Sequence, residues 1–141
     1  MEYFVLEPEV AGELGPETQA DASVYPPRVS RLHYEVVGWH GDELLESFPC
    51  YLVSDALAAR LSQAGLGVFE LRPVQLTLTP EAEELFAGKQ FPDFLWLHVT
   101  GKAGQDDLGV TALGQLVVVT HALEIFQQGT LNNCDIEKYV A

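Results

Sequence analysis

"VSDALAARLSQAGLGVFELRPV" (53–74) and "VTHALEIFQQGTLNNCDIEKYV" (119–140) decide the fold, because they carry one pattern twice. In each, an apolar strand gives way to a capping residue, Ser54 or Thr120, and then to Ala-Leu at the same offset, Ala56-Leu57 or Ala122-Leu123. In the first copy Leu57, Ala58, Leu61 and Ala64 recur at the spacing that lines one helix face. Asp55 suits the positive end of that helix, and Gly65 stops it. A further strand follows in both, with Phe69-Glu70-Leu71 aligned to Cys134-Asp135-Ile136 after a one-residue deletion. The pattern predicts two strand–helix–strand modules in one α+β domain.

Working outward, "EYFVLE" (2–7), "RLHYEVVGW" (31–39) and "FPCYLV" (48–53) read as strands, with "GD" at 41–42 as a turn. "VFELRPVQLTLT" (68–79) is β-rich and broken at Pro73. In "TPEAEELFAG", Thr79 caps a second short helix, Pro80 takes its first position and Gly88 ends it. "FLWLHV" (94–99) and "LVVV" (116–119) are the most apolar runs and read as central strands, with Trp96 in the core. By contrast "PEVAGELGPETQADASVYPPRVS" (8–30) has no periodicity and reads as one long acidic loop. The expected architecture is a single α+β domain: a mixed or antiparallel sheet with about three short helices.

At 141 residues, with 48% apolar side chains, the chain can bury a core without staples. Cys50 and Cys134 match no metal or redox spacing and read as buried free thiols. The start "MEYFVLEPEV" lacks the basic and apolar regions of a secretory signal, and no apolar run is long enough for a membrane span, so a cytoplasmic location is expected. With 21 acids against 7 bases the net charge is −14, a poor match for nucleic acid or an anionic membrane but a good one for a basic protein.

Chemistry-bearing motifs are mostly missing. No phosphate-cradling loop, nucleophile elbow or paired Cys/His spacing occurs, and "GLGVFE" has Glu70 where a dinucleotide loop needs its third Gly. His40, Asp42 and Glu43 in "GWHGDELLE" are the best metal-like group, the basis for an alternative reading as a metal-dependent hydrolase. His33 and His98 alternate with apolar neighbours on strands, as hydrogen-bonded structural histidines do. In "WLHVTGKAGQDDLGV" (96–110), Asp106 and Asp107 sit in a Gly-bounded connection with no sign of the pocket that paired-carboxylate catalysis needs, leaving a solvated turn or a protein contact.

The segments "YFVLEPEV", "LHYEVVGWHGDELLESFPCYLVSDALAARL", "FLWLHVTGKAGQDDLGV" and "LVVVTHALEIFQQGTLNNCDIEKYV", in this order, resemble bacterial polymorphic-toxin immunity proteins of immunity-protein family eleven. The most specific pieces of the resemblance are "GQDDLG" and "ALEIF...LNNCDIE", and the chain resembles myxobacterial members that accompany a nuclease toxin in kin discrimination. The resemblance implies a non-enzymatic, cofactor-free inhibitor that neutralises a cognate toxin; a monomer is expected before binding, because the helices and strands use their apolar faces on one core and leave no amphipathic surface over. Together with the charge it makes Glu13, Glu17, Asp21, Asp42, Glu43, Glu46, Asp106 and Asp107 the candidate toxin contacts. The other alternative is a regulatory module that binds a protein other than a toxin.

Overall fold

Both modules form, and each splits around a strand from elsewhere in the chain. The structure is a computed structural model that describes residues 1–87 and 91–140, so the expected stop at Gly88 lies outside the described residues. In chain order the elements are β1 (Tyr3–Glu7), β2 (Gly12–Leu14), β3 (Gln19–Asp21), β4 (Arg28–Arg31), β5 (His33–Val36), β6 (Leu44–Ser47), β7 (Cys50–Ser54) and α1 (Asp55–Gln63). There follow β8 (Phe69–Arg72), β9 (Gln75–Leu78), α2 (Pro80–Leu85), β10 (Phe94–Val99), β11 (Leu108–Val110), β12 (Leu116–Val119), α3 (Thr120–Gln127) and β13 (Asp135–Lys138).

One sheet has the order β6-β7-β10-β8 and another β11-β12-β1-β13. The two are topological copies: a hairpin, a helix, and a returning strand separated from the hairpin by one antiparallel strand. Their registers coincide. Leu44 pairs with Val53 and Leu108 with Val118; Leu97 pairs with Leu71 and Leu6 with Ile136. Just beyond the inserted strand of each sheet the chain reaches the other sheet, where parallel bridges join Glu9 to Leu45 and Lys102 to Val110. The ladders and these bridges close a ring, β1-β12-β11-β10-β7-β6, with two weakly paired seams, β1–β6 and β10–β11.

Strand alternation explains two cores. Leu44, Tyr51, Val53 and Leu97 turn to a core shared with Leu6, Leu116 and Val118 and sealed by Leu57 and Leu61 of α1 and Phe126 of α3. Leu45, Cys50, Leu52, Phe94 and Trp96 turn the other way, to a core completed by Tyr34, Val36 and Ala82. All five β7 residues are therefore buried. Burying each large apolar side chain contributes roughly 1.5–3 kcal/mol. The second core lies under a three-stranded sheet, β2-β5-β9, in which β5 and β9 are parallel. As expected, β10 and β12 are interior strands, Trp96 is core, and Pro73 separates β8 from β9.

Three expectations need correction. The 8–30 stretch holds β2, β3 and most of β4; these strands run only three or four residues, too short to show alternation. Leu44–Ser47, expected as part of a turn region, is a strand. Ser54 caps α1 by accepting from the Leu57 N–H at 3.1 Å, but Thr120 caps nothing: α3 starts one residue earlier in its copy, and Val119 holds the cap position. Inward facing matches Val53 with Val118 and Ser54 with Val119, so aligning the modules on their hydroxyls displaced the helices by one residue. The thiols are free, Cys50 buried and Cys134 half-buried. Among the described residues no helix is long and apolar enough to cross a membrane.

Candidate functional site

The β1–β6 seam opens into a cleft of about 560 Å³ whose walls include Glu7, Glu9, Glu46 and Asp135, with His40, Tyr51 and Asn133. It is placed by backbone. Beyond β1 the chain crosses to β6, where the Glu46 N–H donates to the Glu9 carbonyl at 2.9 Å. From the other side the Tyr34 hydroxyl accepts from the Ala11 N–H at 3.0 Å and donates to the Glu46 carbonyl at 3.2 Å. At the floor the Tyr51 hydroxyl donates to the Gly114 carbonyl at 2.6 Å, tying β7 to the turn before β12.

The carboxylates play different parts. Glu9 is only 7% exposed; its carboxyl accepts from the backbone N–H groups of His40 at 2.5 Å and Asp42 at 3.2 Å. Glu46 is half-buried, and burial first, then the charge of Glu7, pushes its carboxyl up to about 7 against a smaller opposing contact with Tyr51. A carboxyl so placed gains when a cation arrives, because the newcomer favours the ionised form that burial and Glu7 disfavour. The cleft can therefore hold a lysine or arginine side chain better than an anion or an apolar group.

Asp42 and Glu43, expected at a solvated turn, are structural. Asp42 is fully buried, and its carboxylate accepts from the Asn132 N–H at 2.9 Å, the Asn133 N–H at 2.8 Å and the Asn133 side-chain amide at 3.1 Å. It clamps the α3–β13 connection onto β6 and is not available as a contact for a partner. Glu43 accepts from Ser54 Oγ at 2.6 Å, Arg60 Nη2 at 3.0 Å and the Thr130 N–H at 3.2 Å. Burial works to raise its carboxyl, but these bonds and the Arg60 charge outweigh it and hold it below the usual glutamate range. His40 is exposed, so the expected His40/Asp42/Glu43 metal group does not converge, and no other such group occurs among the described residues.

The remaining acids are dispersed. Glu13 is exposed on β2, opposite Glu35; Glu17 is exposed beyond it. Asp21 is exposed on β3, its carboxyl held below the usual range by the hydroxyl and N–H of Ser23. Asp106 and Asp107 occupy the places in the second copy that Asp42 and Glu43 occupy in the first. Asp106 accepts from the Lys102 N–H at 2.7 Å; exposed Asp107 takes the Val119 N–H on its carbonyl at 3.0 Å, as Glu43 takes Ser54 at 2.9 Å. Of the eight acids selected from sequence, only Glu46 lines the cleft. Asp135 was missed, while Glu7 and Glu9, at the head of the long acidic stretch, were not among the eight. Their signal was strand position: Glu7 and Asp135 are cross-strand partners, a pairing no single stretch displays.

Of the two strand histidines, His33 is hydrogen-bonded as expected. His33 is buried, with the Glu17 N–H at 3.2 Å from Nδ1 and Thr77 Oγ1 at 2.7 Å from Nε2, so Nδ1 accepts and Nε2 carries the proton. The pKa of His98, beside Trp96, is lowered by burial first and by the Arg72 charge second.

No protein-family model and no curated protein matches the chain.

Proposed function

We propose that this protein is an immunity protein of the polymorphic-toxin type: it binds a cognate toxin, a basic nuclease encoded by the adjacent gene, and neutralises it in the cytoplasm of the producing cell and its kin. The observation that carries this reading is the acidic cleft on a chain of net charge −14. A nuclease must hold a polyanion and so presents a basic surface, to which such a chain is steered over long range. Among the described residues only two ion pairs, Arg60–Glu43 and Arg72–Glu70, neutralise carboxylates, which leaves most of the acidic charge available to a partner. The likeness to immunity-protein family eleven points the same way. Asp42 and Glu43, engaged in folding contacts, offer the hydrolase alternative no ligand set.

The test is capture of the purified product of the adjacent gene from low to high salt, with the captured partner assayed for cleavage of nucleic acid. Tight capture with loss of cleavage, weakening steeply as salt rises, is the expected result. No capture at any salt refutes the reading.

A further inference from the structure

Beside the acidic cleft lies an apolar surface that packing does not account for. Tyr25, Phe48 and Leu113 are 70%, 41% and 64% exposed. The Tyr25 and Phe48 rings lie 5.9 Å apart, and Phe48 and Leu113 form one wall of the cleft. Behind this ridge a second pocket of about 250 Å³ opens at the other seam, β10–β11, lined by Pro26, Pro49, Trp96 and Val110. Tyr51 and Gly114 border both hollows, so cleft, ridge and pocket form one continuous surface. It is built in advance: Gly114 has φ +84°, and a Cβ there would come within 2.7 Å of the Phe48 ring.

Contiguous exposed aromatic and aliphatic side chains beside a pocket, rimmed by charge, are the anatomy of a protein-binding centre. Charge selects the occupant. Glu7, Glu46 and Asp135 flank the ridge, and the one Lys or Arg at the pocket rim among the described residues, Arg28, is faced across its hairpin by Asp21. An acidic segment, or a second copy of a chain at −14, is repelled; a basic segment is drawn in.

We infer that the ridge and the two hollows dock a basic segment of another protein, which inserts one aromatic or long aliphatic side chain into the β10–β11 pocket and a lysine or arginine into the β1–β6 cleft. The partner's identity as the toxin rests on the function proposed above; the chemistry of the segment does not.

The first arm uses three capped pentapeptides, Lys-Lys-Phe-Lys-Lys, Lys-Lys-Ala-Lys-Lys and Glu-Glu-Phe-Glu-Glu, titrated into the isotope-labelled full chain at pH 7. The Trp96 indole N–H reports the pocket, and that of Trp39, bonded to the Asp42 carbonyl, serves as reference. The basic aromatic peptide should bind about tenfold more tightly than either control, moving Trp96 and the amides of Phe48, Cys50, Tyr51 and residues 113–115. Leu113→Ser and Tyr25→Ser, both at exposed positions, should abolish the preference for the phenylalanine peptide over its alanine counterpart without moving the thermal midpoint. Equal binding of all three peptides, or shifts confined elsewhere, would overturn the inference. In the second arm the adjacent-gene product is titrated with wild type and both variants. Equal affinity for all three overturns the docking surface while sparing the immunity reading. No binding to wild type removes the immunity reading and leaves the peptides to decide the surface.

Discussion

Replacing Asp42 with alanine should remove about 3 kcal/mol of stability at pH 7, for a reason specific to its place in the fold. Its carboxylate accepts three hydrogen bonds from the α3–β13 connection and is itself fully buried. Bonds to a charged acceptor contribute about 1.5–3 kcal/mol each, which gives an upper sum of roughly 4.5–9. Asn132 and Asn133 are exposed residues, so their freed N–H groups can turn to water, and the cost of burying the charge disappears with it. About 3 kcal/mol remains, a large share of the 5–15 kcal/mol typical of a domain. Asp42→Asn keeps the shape and one carbonyl acceptor but turns an amide N–H₂ toward a donor, and should lose about 2 kcal/mol. Urea unfolding followed by circular dichroism gives the loss, and amide exchange at 132 and 133 shows whether that connection is released. A cost under about 1 kcal/mol for Asp42→Ala, or exchange unchanged at both amides, would refute the clamp.

Glu46→Gln tests the cleft. A carboxyl whose folded pKa is raised, here to about 7 from 4.5, contributes stability below the unfolded value that is lost as pH climbs through the folded one. The variant should therefore match wild type near pH 4 and exceed it at pH 8, by about 1 kcal/mol once solvent in the open cleft is discounted; equal pH profiles would contradict the assignment. Ser54→Ala, which removes the α1 cap and a bond to Glu43, should cost about 1–2 kcal/mol. Thr120→Ala should stay within about 0.5 kcal/mol, since Thr120 makes no cap bond; thermal melts of the pair separate the two. Gly109→Ala would set a Cβ 2.2 Å from the Ala103 nitrogen, and a loss of about 2 kcal/mol or more in chemical denaturation is expected.

How far the sequence reached can be followed in single residues. Local signals were sufficient for Ser54, Pro80 and Pro73, because capping, the first helical turn and strand breaking depend on a few neighbours. They failed at Thr120, where a hydroxyl in a plausible place was read as a cap; only strand facing sets the register of the copy. They failed again at Asp42, since "HGDE" reads as a turn whichever elements cover it, and the cover comes from residues about 90 positions away.

By itself, the sequence determined the α+β class, the two modules, the interior strands and the surplus of negative charge, all carried by composition or by periods of two and 3.6 residues. Tertiary structure alone decided that each module takes its middle strand from the other half, that Glu7, Glu46 and Asp135 meet at a seam, and that Asp42 is withdrawn from the surface. The physical reason is range. Propensity and amphipathic pattern act over a few residues, whereas strand partnership and burial are fixed by which distant segments exclude water together.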